Sequence, residues 1–89
     1  MKIIKLNRRY KQFKEHNHVA GIKFYTWNHQ AQAVERVIRD ITKSSGWARN
    51  GSWYGYFGKV NRRTDARPYF ITVRDESLLT MVLLKVNND

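Results

Sequence analysis

The residues with the greatest chemical reach in this chain are cations and aromatic rings set close together. The segment SWYGYFGKVNRRTDAR carries Trp53, Tyr54 and Tyr56, followed by Lys59, Arg62, Arg63 and Arg67. A second run, NRRYKQFKEHNH, carries Arg8, Arg9, Lys11 and Lys14 against one acid, Glu15. Guanidinium groups make paired hydrogen bonds to phosphate or carboxylate oxygens, and exposed aromatic rings stack on nucleobases. The pattern predicts a surface that holds a polyanion, with these eleven residues as its candidates. Two plainer roles compete: an arginine-bearing hairpin tip is commonly just solvated, and a tyrosine is stable half-buried against a neighbouring strand or the N-terminal arm.

The aromatic strand partly follows the RNA-recognition and cold-shock pattern K/R-G-F/Y-G/A-F/Y-V. Tyr54-Gly55-Tyr56-Phe57 matches the aromatic-glycine-aromatic centre. Ser52 stands where the pattern has a basic residue, Trp53 where it has glycine and Lys59 where it has the last aromatic, so the chain is not assigned to that family.

Catalytic chemistry finds little to work with. There is no glycine-rich phosphate loop, nucleophile elbow or paired-carboxylate arrangement, and Asp40, Asp65, Asp75 and Glu76 are accounted for by helix pairing, turn and capping roles. His16 and His18 form an H-x-H pair that would point to one side of a strand. With only His29 besides and no cysteine, three or four metal ligands are not at hand. The expectation is a binding protein without enzymatic activity, metal or cofactor.

Composition points the same way. The chain has 89 residues, enough for a single domain over 1–89, in which 7–18 could be a basic arm. Its 17 Lys and Arg stand against seven acids, a net charge of +10. Small domains that use charge for solubility usually carry a magnitude of about 2–8, so the excess favours a polyanionic partner. The absence of cysteine fits a reducing compartment. The apolar patch near the N-terminus is too short for a signal segment, and no apolar run approaches a membrane span. A cytoplasmic protein with no membrane partner is expected.

The elements that must position these residues follow from periodicity. Residues 2–6 read as a short strand, 7–18 as a helical turn or exposed arm, and 19–26 as a strand with Ile22 and Phe24 facing one way and Lys23 and Tyr25 the other. From His29 to Ser44, Val34, Val37, Ile38 and Ile41 form one helical stripe extended back by Ala31, with Asn28 as cap and Gly46 as terminator. Asn50-Gly51 marks a turn. Residues 52–60 read as a strand whose glycines Gly55 and Gly58 mark a bulge or close backbone approach. Alternation puts Trp53, Gly55 and Phe57 on one side, and Tyr54, Tyr56 and Gly58 on the other. Asn61 to Arg67 is a polar loop, and 69–74 a strand with Tyr69, Ile71 and Val73 on one face. Residues 75–86 fit a helix capped by Asp75 or a buried strand; Met, Leu and the acidic start favour the helix. The fold class is α+β, with about four mostly antiparallel strands and two helices on one face. The order is ββαββα, compatible with a permuted ferredoxin-like sandwich.

Trp47, Trp53, the aromatic strand Pro68 to Val73 and the helical segment Asp75 to Lys85 give the last half of the chain a likeness to known sequences. It resembles small uncharacterised accessory proteins of tailed bacteriophages. The resemblance implies no activity; it implies a compact protein made during infection that acts in the host cytoplasm by binding. Two functions are therefore carried forward: contact with RNA or DNA through the arginine loop and aromatic strand, or inhibition of a host protein through docking of the same basic surface on an acidic one.

Overall fold

The computed structural model describes residues 3–43 and 51–88. The expected turn at Asn50-Gly51 and the helix terminator Gly46 fall wholly or partly outside the described residues. Seven elements follow one another: β1 (Ile3–Lys5), α1 (Lys11–His16), β2 (Ala20–Phe24), α2 (His29–Thr42), β3 (Trp53–Phe57), β4 (Tyr69–Val73) and α3 (Glu76–Asn88).

The strands form one antiparallel sheet in the order β1-β2-β4-β3. Because β4 runs antiparallel to both β2 and β3, those two strands are parallel to each other, with β4 inserted between them. This is the split β-α-β unit, and β1 beside β2 occupies the place of a final strand. The domain is thus an α+β sandwich with the connectivity of a circularly permuted ferredoxin-like fold.

Alternation decides which side of the sheet is core. Ala20, Ile22 and Phe24 of β2, Tyr69, Ile71 and Val73 of β4, and Trp53 of β3 are buried on one face. Register places them side by side: Ile22 opposite Ile71, Ala20 and Trp53 opposite Val73. α2 and α3 cover this face with Ala31, Val34, Ile38, Leu79 and Val82, all fully buried, while Val37, Ile41, Leu78, Leu83 and Val86 pack at the rim. The stripe read from sequence is therefore the buried face of α2. Asn28 caps it as expected, its side chain accepting from the Ala31 N–H at 3.0 Å. The helix closes at Lys43, which takes a left-handed conformation (φ 55°) and donates its N–H to the Arg39 carbonyl.

Residues 76–88 are helix. The Asp75 carboxylate accepts from the Ser77 N–H at 3.0 Å, and these bonds hold its carboxyl below the usual range. The short helix α1 is an addition to the two helices expected. It lies on the opposite side of the sheet, where sequence left the choice between a helical turn and an exposed arm.

Gly55 marks a close approach rather than a bulge, since β3 pairs with β4 without interruption. A Cβ on Gly55 would run into the Tyr69 hydroxyl, so the bare backbone lets the Tyr69 ring cross beneath β3. No helix among the described residues is long and apolar enough to cross a membrane.

Candidate functional site

The face of the sheet opposite α2 and α3 is built from the alternate residues: Lys23 of β2, Phe70 and Thr72 of β4, Tyr54 and Tyr56 of β3. Tyr56 and Phe70 are direct cross-strand partners, and their rings stack at 5.1 Å with planes 13° apart. Tyr54 stacks on Tyr56 from the same strand at 5.5 Å and 21°. Lys23, the register partner of Phe70, carries its amine 5.9 Å from the centre of the Phe70 ring. A row of three rings therefore runs across the sheet and ends in a cation.

α1 is fastened to this face by side chains. Tyr56 donates its hydroxyl to Gln12 Oε1 at 3.3 Å. Burial, with Tyr10 and Tyr54 adding to it, pushes the Tyr56 phenol up to about 12. Just past α1, Asn17 takes a left-handed conformation (φ 59°) that turns the chain inward. His18 is then completely buried, with Nδ1 2.7 Å from Thr72 Oγ1 and Nε2 3.2 Å from the Gly51 carbonyl. A carbonyl can only accept, so Nε2 carries the proton and Nδ1 accepts from the Thr72 hydroxyl. Burial holds this imidazole below the usual histidine range, and the Arg74 and His16 charges add to that against the opposing pull of the Gly51 carbonyl.

Two depressions flank the aromatic row. One, of about 230 Å³, is lined by Lys11, Gln12, His16, Tyr54, Tyr56 and Phe57. The other, of about 220 Å³, is lined by Lys23, Tyr25, Lys59, Asn61, Ala66 and Pro68. The loop behind the second is held by its own backbone: Asn61 N–H to the Ala66 carbonyl and Asp65 N–H to the Asn61 carbonyl, both at 2.7 Å. Asp65 accommodates this with a left-handed backbone (φ 59°), and Asn61 Oδ1 accepts from the Arg63 N–H.

The residues singled out by sequence divide accordingly. Lys11, Tyr54 and Tyr56 come together around the first depression. Lys59 faces the second, and Arg62 and Arg63 are exposed on the loop that walls it. Lys14 is exposed on α1, and Arg8 and Arg9 are exposed in the turn that leads into it. Arg67 departs from the group: its guanidinium lies 5.0 Å from the centre of the Phe57 ring, and Nε donates to the Gly58 carbonyl. Phe57 belongs to the helix-covered side of β3, so Arg67 turns away from the tyrosines.

Trp53 needs a correction. It is 1% exposed and stands in the core, with its indole N–H donating to Thr42 Oγ1 at 3.0 Å. A ring so enclosed offers no face to a ligand; its two-residue spacing from Gly55 and Phe57 already set it opposite the tyrosines. His16 and His18 do not share one side of a strand either, because His16 ends α1 and His18 lies beyond the left-handed turn. Among the described residues no three His, Asp or Glu gather as metal ligands.

Sequence reasoning missed Lys23 and Phe70 as parts of the row. Both were legible: they alternate with Ile22 and Ile71, which read as core. Gln12, His18 and Thr72 carried no such signal, because their pairing depends on where α1 docks. Comparison with known protein families, curated proteins and solved structures gave no match for this chain.

Proposed function

We propose that the protein binds nucleic acid across the face of its sheet opposite α2 and α3, without a catalytic step. The observation that carries this reading is the placement of cations on both flanks of one aromatic row. Lys11 lies beside Tyr54 and Tyr56, and Lys23 and Lys59 lie beyond Phe70. With a net charge of +10, such a track offers successive phosphates successive cations. Arg62 and Arg63 extend it at the loop, and Lys14 with Arg8 and Arg9 extend it at the α1 end.

The tyrosines take a narrower part than two independent stacking platforms would. Tyr56 is stacked with both Tyr54 and Phe70, so it braces the row. The phosphate contacts therefore carry most of the affinity, and binding is expected to be strongly salt-dependent with little sequence preference.

The test is a titration with single-stranded DNA, duplex DNA and RNA over a salt series, using wild type, Arg62→Ala/Arg63→Ala and Lys23→Ala/Lys59→Ala. The slope of log K against log salt should fall by about one to two in each double variant, since each phosphate contact contributes roughly 0.7–0.9. Weak binding with the same slope in all three proteins would overturn the proposal.

A further inference from the structure

On the helix-covered side, at the end of the sheet where β2 and β3 stop, two large rings stand exposed. Trp27, between β2 and α2, is 39% exposed, and Phe57, at the end of β3, is 46% exposed. Neither is a loose surface residue. The buried Tyr69 ring underlies both, meeting Trp27 edge-on at 4.7 Å and Phe57 at 4.9 Å, and the two rings face each other at 6.1 Å. Tyr69 is itself fixed, with its hydroxyl donating to Glu35 Oε2 at 3.4 Å in the space that Gly55 leaves open. Burial and the Glu35 carboxylate drive its phenol well above the ordinary range, so it remains a neutral donor.

Charge surrounds this notch on both sides. Arg67 lies over Phe57, and a depression of about 240 Å³ beside Trp27 is lined by Gln32, Glu35, Arg36 and Arg39. The one carboxylate there is already engaged, by Tyr69 and by an ion pair with Arg39. Arg36 is exposed and, among the described residues, pairs with no carboxylate.

From this arrangement we infer that the Trp27–Phe57 notch is a second, separate binding surface, which takes an acidic segment of a partner protein. An apolar side chain seats between the two rings, and flanking carboxylates reach Arg36 and Arg67 by forked hydrogen bonds. Aromatic and arginine anchors of this kind dominate protein interfaces. A nucleic acid fits this surface less well. The rings are inclined at 54° to 77° to one another, leaving no parallel slot for a base. The inference does not depend on the nucleic-acid reading, because Trp27 and Arg36 border neither depression of the aromatic row, and only Phe57, on the edge strand β3, is shared with the first of them.

The experiment uses the full chain labelled with nitrogen-15 and three probes: a synthetic peptide of Asp and Glu with a central Leu-Phe pair, the same peptide with Ser-Ser at its centre, and oligothymidylate. The first peptide should bind saturably, shifting the Trp27 indole and the Arg36 side chain. Affinity should drop about tenfold with the Ser-Ser peptide and again with Arg36→Glu, an exposed helix position whose change leaves the core spectrum intact. Arg62→Ala/Arg63→Ala should bind the peptide as wild type does, which separates this surface from the sheet face. The inference is overturned if the Leu-Phe peptide does not saturate, if Arg36→Glu binds it unchanged, or if oligothymidylate shifts Trp27 and Arg36 and the peptide does not.

Discussion

Acid should weaken this domain in part through one buried side chain, His18. The imidazole is neutral in the folded chain, with Nε2 donating to Gly51 and Nδ1 accepting from Thr72. Its folded pKa lies below 6.5, the ordinary value of a histidine, with burial as the leading cause. Between those two values the unfolded chain binds a proton that the native chain does not. Stability is therefore fully present above 6.5 and falls as pH drops toward the folded pKa. Each pH unit of that interval costs about 1.4 kcal/mol. A domain of 89 residues has a total stability of roughly 4–13 kcal/mol, so a single unit is a substantial share. Urea denaturation of wild type and His18→Gln at pH 7.5, 6.5 and 5.5 measures the effect. Glutamine keeps one amide N–H for Gly51 and cannot titrate, so the variant should be less stable at neutral pH but flatter toward acid. Carboxylates elsewhere contribute equally to both proteins and cancel in the comparison. Parallel slopes for the two would refute the argument, by showing that His18 is charged in the native state or that another group governs the acid limb.

Two further outcomes follow from the core. Trp53→Ala should cost about 3–5 kcal/mol, whereas Trp53→Phe loses mainly the bond to Thr42 and should cost about 1–2 kcal/mol. Nucleic-acid affinity of the Phe variant, measured well below its unfolding temperature, should equal that of wild type, as befits a residue with no exposed face. Gly55→Ala places a methyl against the Tyr69 hydroxyl and should cost about 1–3 kcal/mol in thermal or urea unfolding; an unchanged midpoint would mean that the ring can swing aside.

What was legible in the sequence was whatever a repeat of two or of 3.6 residues can express. The buried stripe of α2, the inward set Tyr69, Ile71 and Val73, and the Asn28 cap all follow from local pattern, and the acidic start of α3 correctly favoured a helix. The same alternation separates Trp53 from the tyrosines, so its parity, and not its residue type, decides that it is core. The docking of α1 was not legible. It rests on three polar contacts, Gln12 with Tyr56 and His18 with Thr72 and Gly51, between segments far apart in the chain, and no periodicity encodes them. Arg67 illustrates the remaining gap: loop composition grouped it with Arg62 and Arg63, while an aromatic ring on the far side of β3 decided where it went.

On the proposed reading α1 would also couple ligand to fold. The chain enters it from β1 and leaves it into β2, with Leu6 N–H bonded to the Val19 carbonyl and Val19 N–H to the Val73 carbonyl, both at 2.9 Å. Its Gln12 side chain rests on β3, and His18, just past the helix, rests on β4. Separating any pair of strands therefore disturbs the seat of this one short helix. A ligand held between Lys11 and Lys59 would be released whenever the sheet opens, and by mass action it would add about 2.7 kcal/mol to the stability of the domain at a hundred times its Kd. On the proposed reading the basic helix would act as a clasp, and occupancy of the face it borders would appear as resistance of the whole sheet to unfolding.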